Sequence, residues 1–118
     1  MPVLYLNRKR EEGGMGNLIS VPEWADALFK VLDPASCQAP ITPKVEDGTI
    51  TADASLLYDL GIGSPKLQTM VYAINGVIDT YRQPDGNGYV DTDTLANTKT
   101  IGDLTNDVYG HLGTFGSP

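Results

Sequence analysis

The sequence is poor in several residue types on which protein chemistry often depends. It has one cysteine and one histidine among 118 residues, so no disulfide can form within the chain. No apolar run approaches the ~20 residues that a membrane-spanning helix needs. Basic residues are scarce too, with 8 lysines and arginines against 15 aspartates and glutamates. These absences argue against a disulfide scaffold, a membrane-spanning protein and a nucleic-acid-binding protein.

The negative net charge and the single cysteine indicate which partners and which cellular compartment to expect. A net charge of −7 and a pI near 4.4 favour basic protein surfaces as partners over nucleic acid or anionic membranes. The thiol, Cys37, lies in a proline-rich segment far along the chain from His111, and we interpret it as a loop residue without a nucleophilic role. We expect a monomeric, cytoplasmic protein.

Apolar residues recur with helical spacing in three segments. The first follows Pro22, the second runs without interruption from Ser64 to Tyr81, and the third follows Thr100, which is predicted to cap it. The apolar positions are Trp24, Leu28, Val31 and Leu32 in the first segment, Leu67, Met70, Val71, Ile74, Val77, Ile78 and Tyr81 in the second, and Ile101, Leu104, Val108 and Leu112 in the third. Each segment predicts an amphipathic helix.

The rest of the chain predicts loops and one shorter helix. Residues 34–48 hold three prolines without helical periodicity, which indicates a long loop anchored by Ile41, Val45 and Ile50. Residues 91–97 are predicted to form one or two helical turns, and no segment alternates like a strand. The sequence therefore predicts an all-α bundle of three longer helices and one short helix, with a long first loop. Residues 20–112 form this domain, 1–19 are a mobile leader and 113–118 a flexible tail.

Ser64 is the residue with the clearest functional potential, and two interpretations of it stay open. As a helix N-cap, its oxygen accepts a backbone N–H one turn into the helix, and Pro65 is then the first helical residue. Alternatively, its hydroxyl at the mouth of a loop is an attachment point for a prosthetic group.

The second interpretation comes from a resemblance that spans residues 50–112. The segment before Ser64 contains Ala-Ser-Leu at 54–56 and Asp-Leu-Gly at 59–61, and a later segment, 100–104, is Thr-Ile-Gly-Asp-Leu. In composition and spacing these segments resemble the acyl carrier protein family. In that family a serine in an Asp-Ser-Leu motif carries a 4′-phosphopantetheine arm.

The resemblance implies a function and a set of partners. Ser64 is the implied attachment site of a covalent 4′-phosphopantetheine cofactor, whose thiol carries an acyl or peptidyl group as a thioester. The implied partners are a phosphopantetheinyl transferase and enzymes that load or transfer the acyl or aminoacyl group, as in fatty acid, polyketide or secondary metabolite biosynthesis. Such a protein is not an enzyme and has no catalytic residue. A bound acyl chain is expected to lie near Leu57, Leu60, Met70 and Ile74.

The chain departs from the family pattern at three places. The aspartate before the serine is Gly63 here and the following leucine is Pro65. The helix after Ser64 is almost neutral, whereas carrier proteins usually present acidic side chains there. An insertion over residues 82–89 precedes Val90.

Two alternative functions stay open at this stage. The first is an unmodified interaction module in which Ser64 is only a helix N-cap. The second is a calcium module, because Asp85, Asn87 and Asp91 within residues 83–94 match positions of an EF-hand loop, although the first and last ligand positions do not. No metal site is expected on this evidence. The carboxylates of Asp91, Asp93, Asp103 and Asp107 are expected to form a solvated face, with His111 a solvated side chain or a partner of its helix terminus.

Overall fold

The computed structural model describes residues 21–113, and within them the fold is all-α. The predicted leader, residues 1–19, and residues 114–118 of the predicted tail lie outside the described residues. The helices are α1 (Glu23–Leu32), α2 (Ile41–Glu46), α3 (Ser64–Thr69), α4 (Val71–Tyr81), α5 (Thr92–Ala96) and α6 (Ile101–Leu112), with a 3₁₀ turn at Asp33–Ala35. The predicted helical bundle is confirmed. None of the described helices combines the length and the apolar character needed to cross a membrane.

The three longer helices, α1, α4 and α6, supply most of the core. Helix α1 packs against α2 and α4, α4 packs against α6, and α3 packs against α5. The large apolar helical residues that are fully or almost fully buried are Trp24, Leu28, Phe29, Leu32, Ile41, Val45, Leu67, Ile74, Val77, Ile78, Leu95, Ile101, Leu104, Val108 and Leu112. The apolar stripes that predict the helices therefore face one common core.

The predicted long first loop contains a helix that the sequence did not indicate. Helix α2 occupies Ile41–Glu46 and buries Ile41 and Val45 completely. The Asp33 carboxylate accepts a hydrogen bond from the Ile41 N–H at 3.0 Å, which satisfies one free donor of the first turn. The prediction of a helix-free loop was wrong, whereas its predicted apolar anchors are buried. A six-residue helix contains too few turns to produce a periodic signal.

The predicted continuous helix from Ser64 to Tyr81 is divided at Met70. The Met70 N–H bonds to the Leu67 carbonyl at 3.0 Å, three residues back, and the backbone there has φ −94° and ψ 8°. The Lys66 carbonyl, which a regular α-helix would pair with Met70, instead accepts the Thr69 hydroxyl at 2.6 Å. A threonine that bonds back to its own helix competes with the backbone ladder and bends the helix. The prediction of one uninterrupted helix was wrong.

Two predicted helix starts are confirmed by their capping bonds. The Asp91 carboxylate caps α5 by accepting from the Thr94 N–H at 2.8 Å. Thr100 caps α6 through a reciprocal pair with Asp103, in which each side chain accepts from the other residue's backbone N–H. These caps fix the starts of α5 and α6, the helices on either side of residues 97–100.

Candidate functional site

Ser64 is the first residue of α3, and its hydroxyl is not the cap of that helix. Gly63 occupies the N-cap position with φ −71° and ψ 160°, and no side chain caps the helix. Pro65 is consequently the second helical residue. The N-cap interpretation of Ser64 was wrong, because the chain enters the helix one residue earlier than it required. Ser64 is half-buried, and its hydroxyl makes no hydrogen bond to any residue within 21–113.

The turn before Ser64 is held by hydrogen bonds between Ser55 and Asp59. The Asp59 carboxylate accepts from the Ser55 N–H at 2.7 Å, and the Ser55 hydroxyl oxygen accepts from the Tyr58 N–H at 3.0 Å. The Leu60 N–H bonds to the Ser55 carbonyl at 3.1 Å. The aspartate of the Asp-Leu-Gly segment therefore has a structural role, which is to close this turn.

The chain then passes Cys37 on its way to Ser64. Gly61 has φ +75°, a conformation that glycine adopts without steric cost. The Cys37 N–H bonds to the Leu60 carbonyl at 2.8 Å, and the Cys37 sulfur lies 3.3 Å from where a Gly61 side chain would begin. Cys37 is exposed. Position 61 therefore favours glycine for two reasons, its positive φ and its close packing against Cys37 in the first loop.

An isolated antiparallel bridge joins Ser55 to Thr100. The Leu56 N–H bonds to the Lys99 carbonyl at 2.9 Å, and the Ile101 N–H bonds to the Ala54 carbonyl at 3.0 Å. Those two bonds flank Ser55 and Thr100, which makes them a non-hydrogen-bonded pair, the arrangement that brings opposite side chains closest. The bridge therefore places two hydroxyl-bearing side chains together.

A groove of about 270 Å³ lies between these segments and reaches Ser64. Its polar lining consists of Ser55, Ser64, Thr98, Lys99 and Thr100. No carboxylate lines it. Four serine and threonine residues and one lysine therefore line the groove beside its apolar residues, on a chain whose net charge is negative.

The groove also has an apolar rim that is accessible to solvent. Leu57 and Tyr58 line it and are 51% and 85% exposed. Of the four residues expected to contact an acyl chain, Leu57 alone is among the residues that line this groove, whereas Leu60 and Ile74 are fully buried in the core and Met70 lies at the helix break.

Thr98, which lines the groove, is hydrogen-bonded to Asp107. The Thr98 hydroxyl lies 2.8 Å from the Thr94 carbonyl and 2.9 Å from an Asp107 carboxyl oxygen. Burial raises the pKa of the Asp107 carboxyl; the Thr98 hydrogen bond opposes this rise, and the nearby Asp103 carboxylate adds to it. The solvated face expected of the four aspartates is therefore wrong for Asp107, which is half-buried.

The insertion before Val90 folds onto the end of α6. The His111 ring nitrogen Nδ1 lies 2.9 Å from the Asn87 carbonyl, and the Gln83 N–H bonds to the Leu112 carbonyl at 2.7 Å. His111 is half-buried against the insertion and so is not a fully solvated side chain; it lies in the last turn of α6, as a partner of the helix terminus would. The Arg82 guanidinium lies over the Tyr89 ring at 4.5 Å.

The candidate calcium ligands do not form a cluster. Asp91 is occupied as the cap of α5, and within residues 21–113 no group of three histidine, cysteine or carboxylate side chains is positioned to hold a metal ion.

The sequence predicted roles for Ser64 and for Thr100 as a helix cap, but it did not indicate that Ser55 and Lys99 lie beside them. Lys99 carried no signal, because a single exposed lysine has no pattern. Three helices, α3, α4 and α5, lie between Ser55 and Thr100 in the chain, and only the bridge reveals that the two residues are neighbours. Comparison of the chain with known protein families, curated proteins and solved structures finds no match.

Proposed function

We propose that the protein is an acyl or peptidyl carrier in which Ser64 holds a 4′-phosphopantetheine arm. The observation that supports this proposal best is that the Ser64 hydroxyl, at the edge of an open groove, has no structural hydrogen bond within residues 21–113.

The residues around Ser64 fit such a group. Serine, threonine and lysine, residues that bind phosphate, line the groove, and no carboxylate that would repel a phosphate is among its lining residues. In the modification, a bond forms between Ser64 Oγ and phosphorus while a P–O bond of the coenzyme A pyrophosphate breaks. Adenosine 3′,5′-bisphosphate leaves, and the serine proton is released. When bound, the arm supplies a thiol that holds the acyl group as a thioester.

The chain's own contribution to this function is position and recognition. Ser64 begins α3 just after the closed turn at 55–60, and the exposed Leu57 and Tyr58 lie where a partner enzyme would approach the arm. The proposed partners are a phosphopantetheinyl transferase and acyl- or aminoacyl-transferring enzymes of the cytoplasm. No catalytic residue is proposed.

The proposal is tested by intact-mass measurement after incubation with coenzyme A and several broad-specificity transferases. We expect a gain of one phosphopantetheine unit, lost in Ser64→Ala and retained in Ser36→Ala, which removes a different half-buried serine. An unchanged mass of the wild-type protein with every transferase would refute the carrier function. The exposed Leu57 and Tyr58 would then favour the unmodified interaction module.

A further inference from the structure

Ser55 and Thr100 each have a hydroxyl group whose proton is available for a further hydrogen bond. Each oxygen accepts a backbone N–H, from Tyr58 at 3.0 Å and from Asp103 at 3.0 Å. A hydroxyl can accept and donate at the same time. Within residues 21–113, neither hydroxyl proton has an acceptor. Both residues line the groove, and each carries one unused hydroxyl donor.

Lys99 also lines this groove, and its ammonium group has no carboxylate partner within residues 21–113. Its backbone carbonyl is fixed by the Leu56 N–H, while its side chain is exposed and pairs with no carboxylate of the described residues. Lys30, by comparison, is 3.2 Å from the Asp26 carboxylate. A lysine beside free hydroxyl groups is a common setting for a phosphate.

The nearest carboxylates on the two segments are directed at backbone donors. Asp59 accepts from the Ser55 N–H and Asp103 accepts from the Thr100 N–H, and neither lines the groove. They hold the backbone of Ser55 and Thr100 in place. They do not accept the hydroxyl protons of these residues and do not pair with the Lys99 ammonium. The arrangement presents donors and positive charge, and its natural occupant is an anion.

We propose that Ser55, Lys99 and Thr100 form a phosphate-binding site that holds the phosphodiester attached to Ser64. This inference rests on the proposed carrier function for the source of the phosphate. The site would fix the first bonds of the arm against the protein and set the direction in which its thiol leaves. The three residues are positioning residues, because they contact the arm far from the thioester.

The first experiment uses the unmodified protein and inorganic phosphate. Backbone amide NMR spectra are recorded during titration with phosphate, with chloride at equal ionic strength as the reference. We expect saturable shifts at Ser55, Lys99 and Thr100 with a millimolar dissociation constant. Lys99→Gln should weaken binding at least threefold, and the matched variant Lys30→Gln should leave it unchanged. The Lys99 side chain makes no structural bond within the described residues, so the variant is expected to fold. Shifts that are absent, or equal in the two variants, would overturn the site.

The second experiment identifies the source of the phosphate. In the modified protein we expect the ³¹P resonance of the phosphodiester to differ between wild type and Lys99→Gln but not between wild type and Lys30→Gln, and free phosphate should no longer bind the groove. If modified and unmodified proteins bind free phosphate equally, the groove serves a separate phosphate and the assignment to the arm fails. Failure of modification itself would refute the carrier function, whereas the titration of the unmodified protein tests the groove independently.

Discussion

Ser55 and Thr100 face each other across an isolated antiparallel bridge, and each hydroxyl oxygen accepts the backbone N–H of the residue three positions later. In each case a carboxylate, Asp59 or Asp103, returns a bond to the backbone N–H of the hydroxyl-bearing residue. The turn before Ser64 and the helix after Lys99 therefore begin with the same arrangement, in which a hydroxyl oxygen and a carboxylate each accept a backbone N–H. The bridge joins the two into one surface beside the candidate attachment serine.

Removing a hydroxyl group should change the free energy of unfolding differently at the start of α3 and at the start of α6. Ser64→Ala should change the free energy of unfolding by less than about 0.5 kcal/mol, because Ser64 caps nothing. Thr100→Ala should cost about 1 kcal/mol, because it removes a capping box. Urea unfolding of both variants checks this difference. A loss of about 1 kcal/mol in Ser64→Ala would restore the N-cap interpretation.

Gly63 offers a test of how a transferase would recognise the proposed attachment site at Ser64. Its backbone is extended, and a side chain there would start 3.4 Å from a Leu57 methyl group, which is ordinary contact. Gly63→Asp should supply the missing cap and stabilise the protein by about 0.5 kcal/mol. Since the acyl carrier protein family has aspartate here, the variant should also be modified faster than wild type by a transferase.

Gly63→Ala is the matched control for this change, because it adds the same Cβ without an acceptor oxygen. It should give neither the stabilisation nor the faster modification. Equal thermal stability and equal modification rates of the two variants would show that the side-chain oxygen at this position has no role.

Asp107 predicts a pH-dependent stability. Burial raises the pKa of its carboxyl, so the folded protein holds this proton more tightly than the unfolded chain. The resulting stabilisation is complete below the unfolded pKa of about 3.9 and is lost as the pH rises through the raised folded-state pKa. The Thr98 hydrogen bond favours the ionised carboxyl and so opposes this rise in pKa, but burial outweighs it.

Asp107→Asn removes the charge and keeps a hydrogen-bonding group beside Thr98. We expect it to raise the melting temperature at pH 7 by a few degrees, with a gain that declines towards pH 3. The exposed Asp93→Asn changes the net charge equally and should show a much smaller gain. Thermal unfolding between pH 3 and pH 7 measures the difference; a gain that is independent of pH would contradict the assignment.

Two glycines predict opposite effects of the same substitution. Gly76→Ala lies in α4, where an added Cβ meets no atom within 4 Å, and should stabilise the protein by about 0.5 to 1 kcal/mol. Gly61→Ala must adopt φ +75° against the Cys37 sulfur and should destabilise it by about 1 to 3 kcal/mol. Denaturant unfolding of both variants tests the prediction. A stable Gly61→Ala variant would mean that the turn before Ser64 tolerates another conformation.

The sequence by itself determined the helical class and the faces that form the core. Apolar spacing depends only on the geometry of a helix, so the positions of α1, α4 and α6 and the caps at Asp91 and Thr100 follow from local residues. The resemblance to acyl carrier proteins also depends on the sequence, and it remains a hypothesis about function.

The tertiary structure decided what local patterns do not encode. Helix α2 is too short for periodicity and depends on buried contacts of Ile41 and Val45, and the break at Met70 follows a side-chain hydrogen bond that competes with the backbone. Ser64 lost its predicted capping role because the chain enters α3 at Gly63. The hydroxyl groups and Lys99 beside it come from separate segments, and only the bridge between Ser55 and Thr100 brings them together.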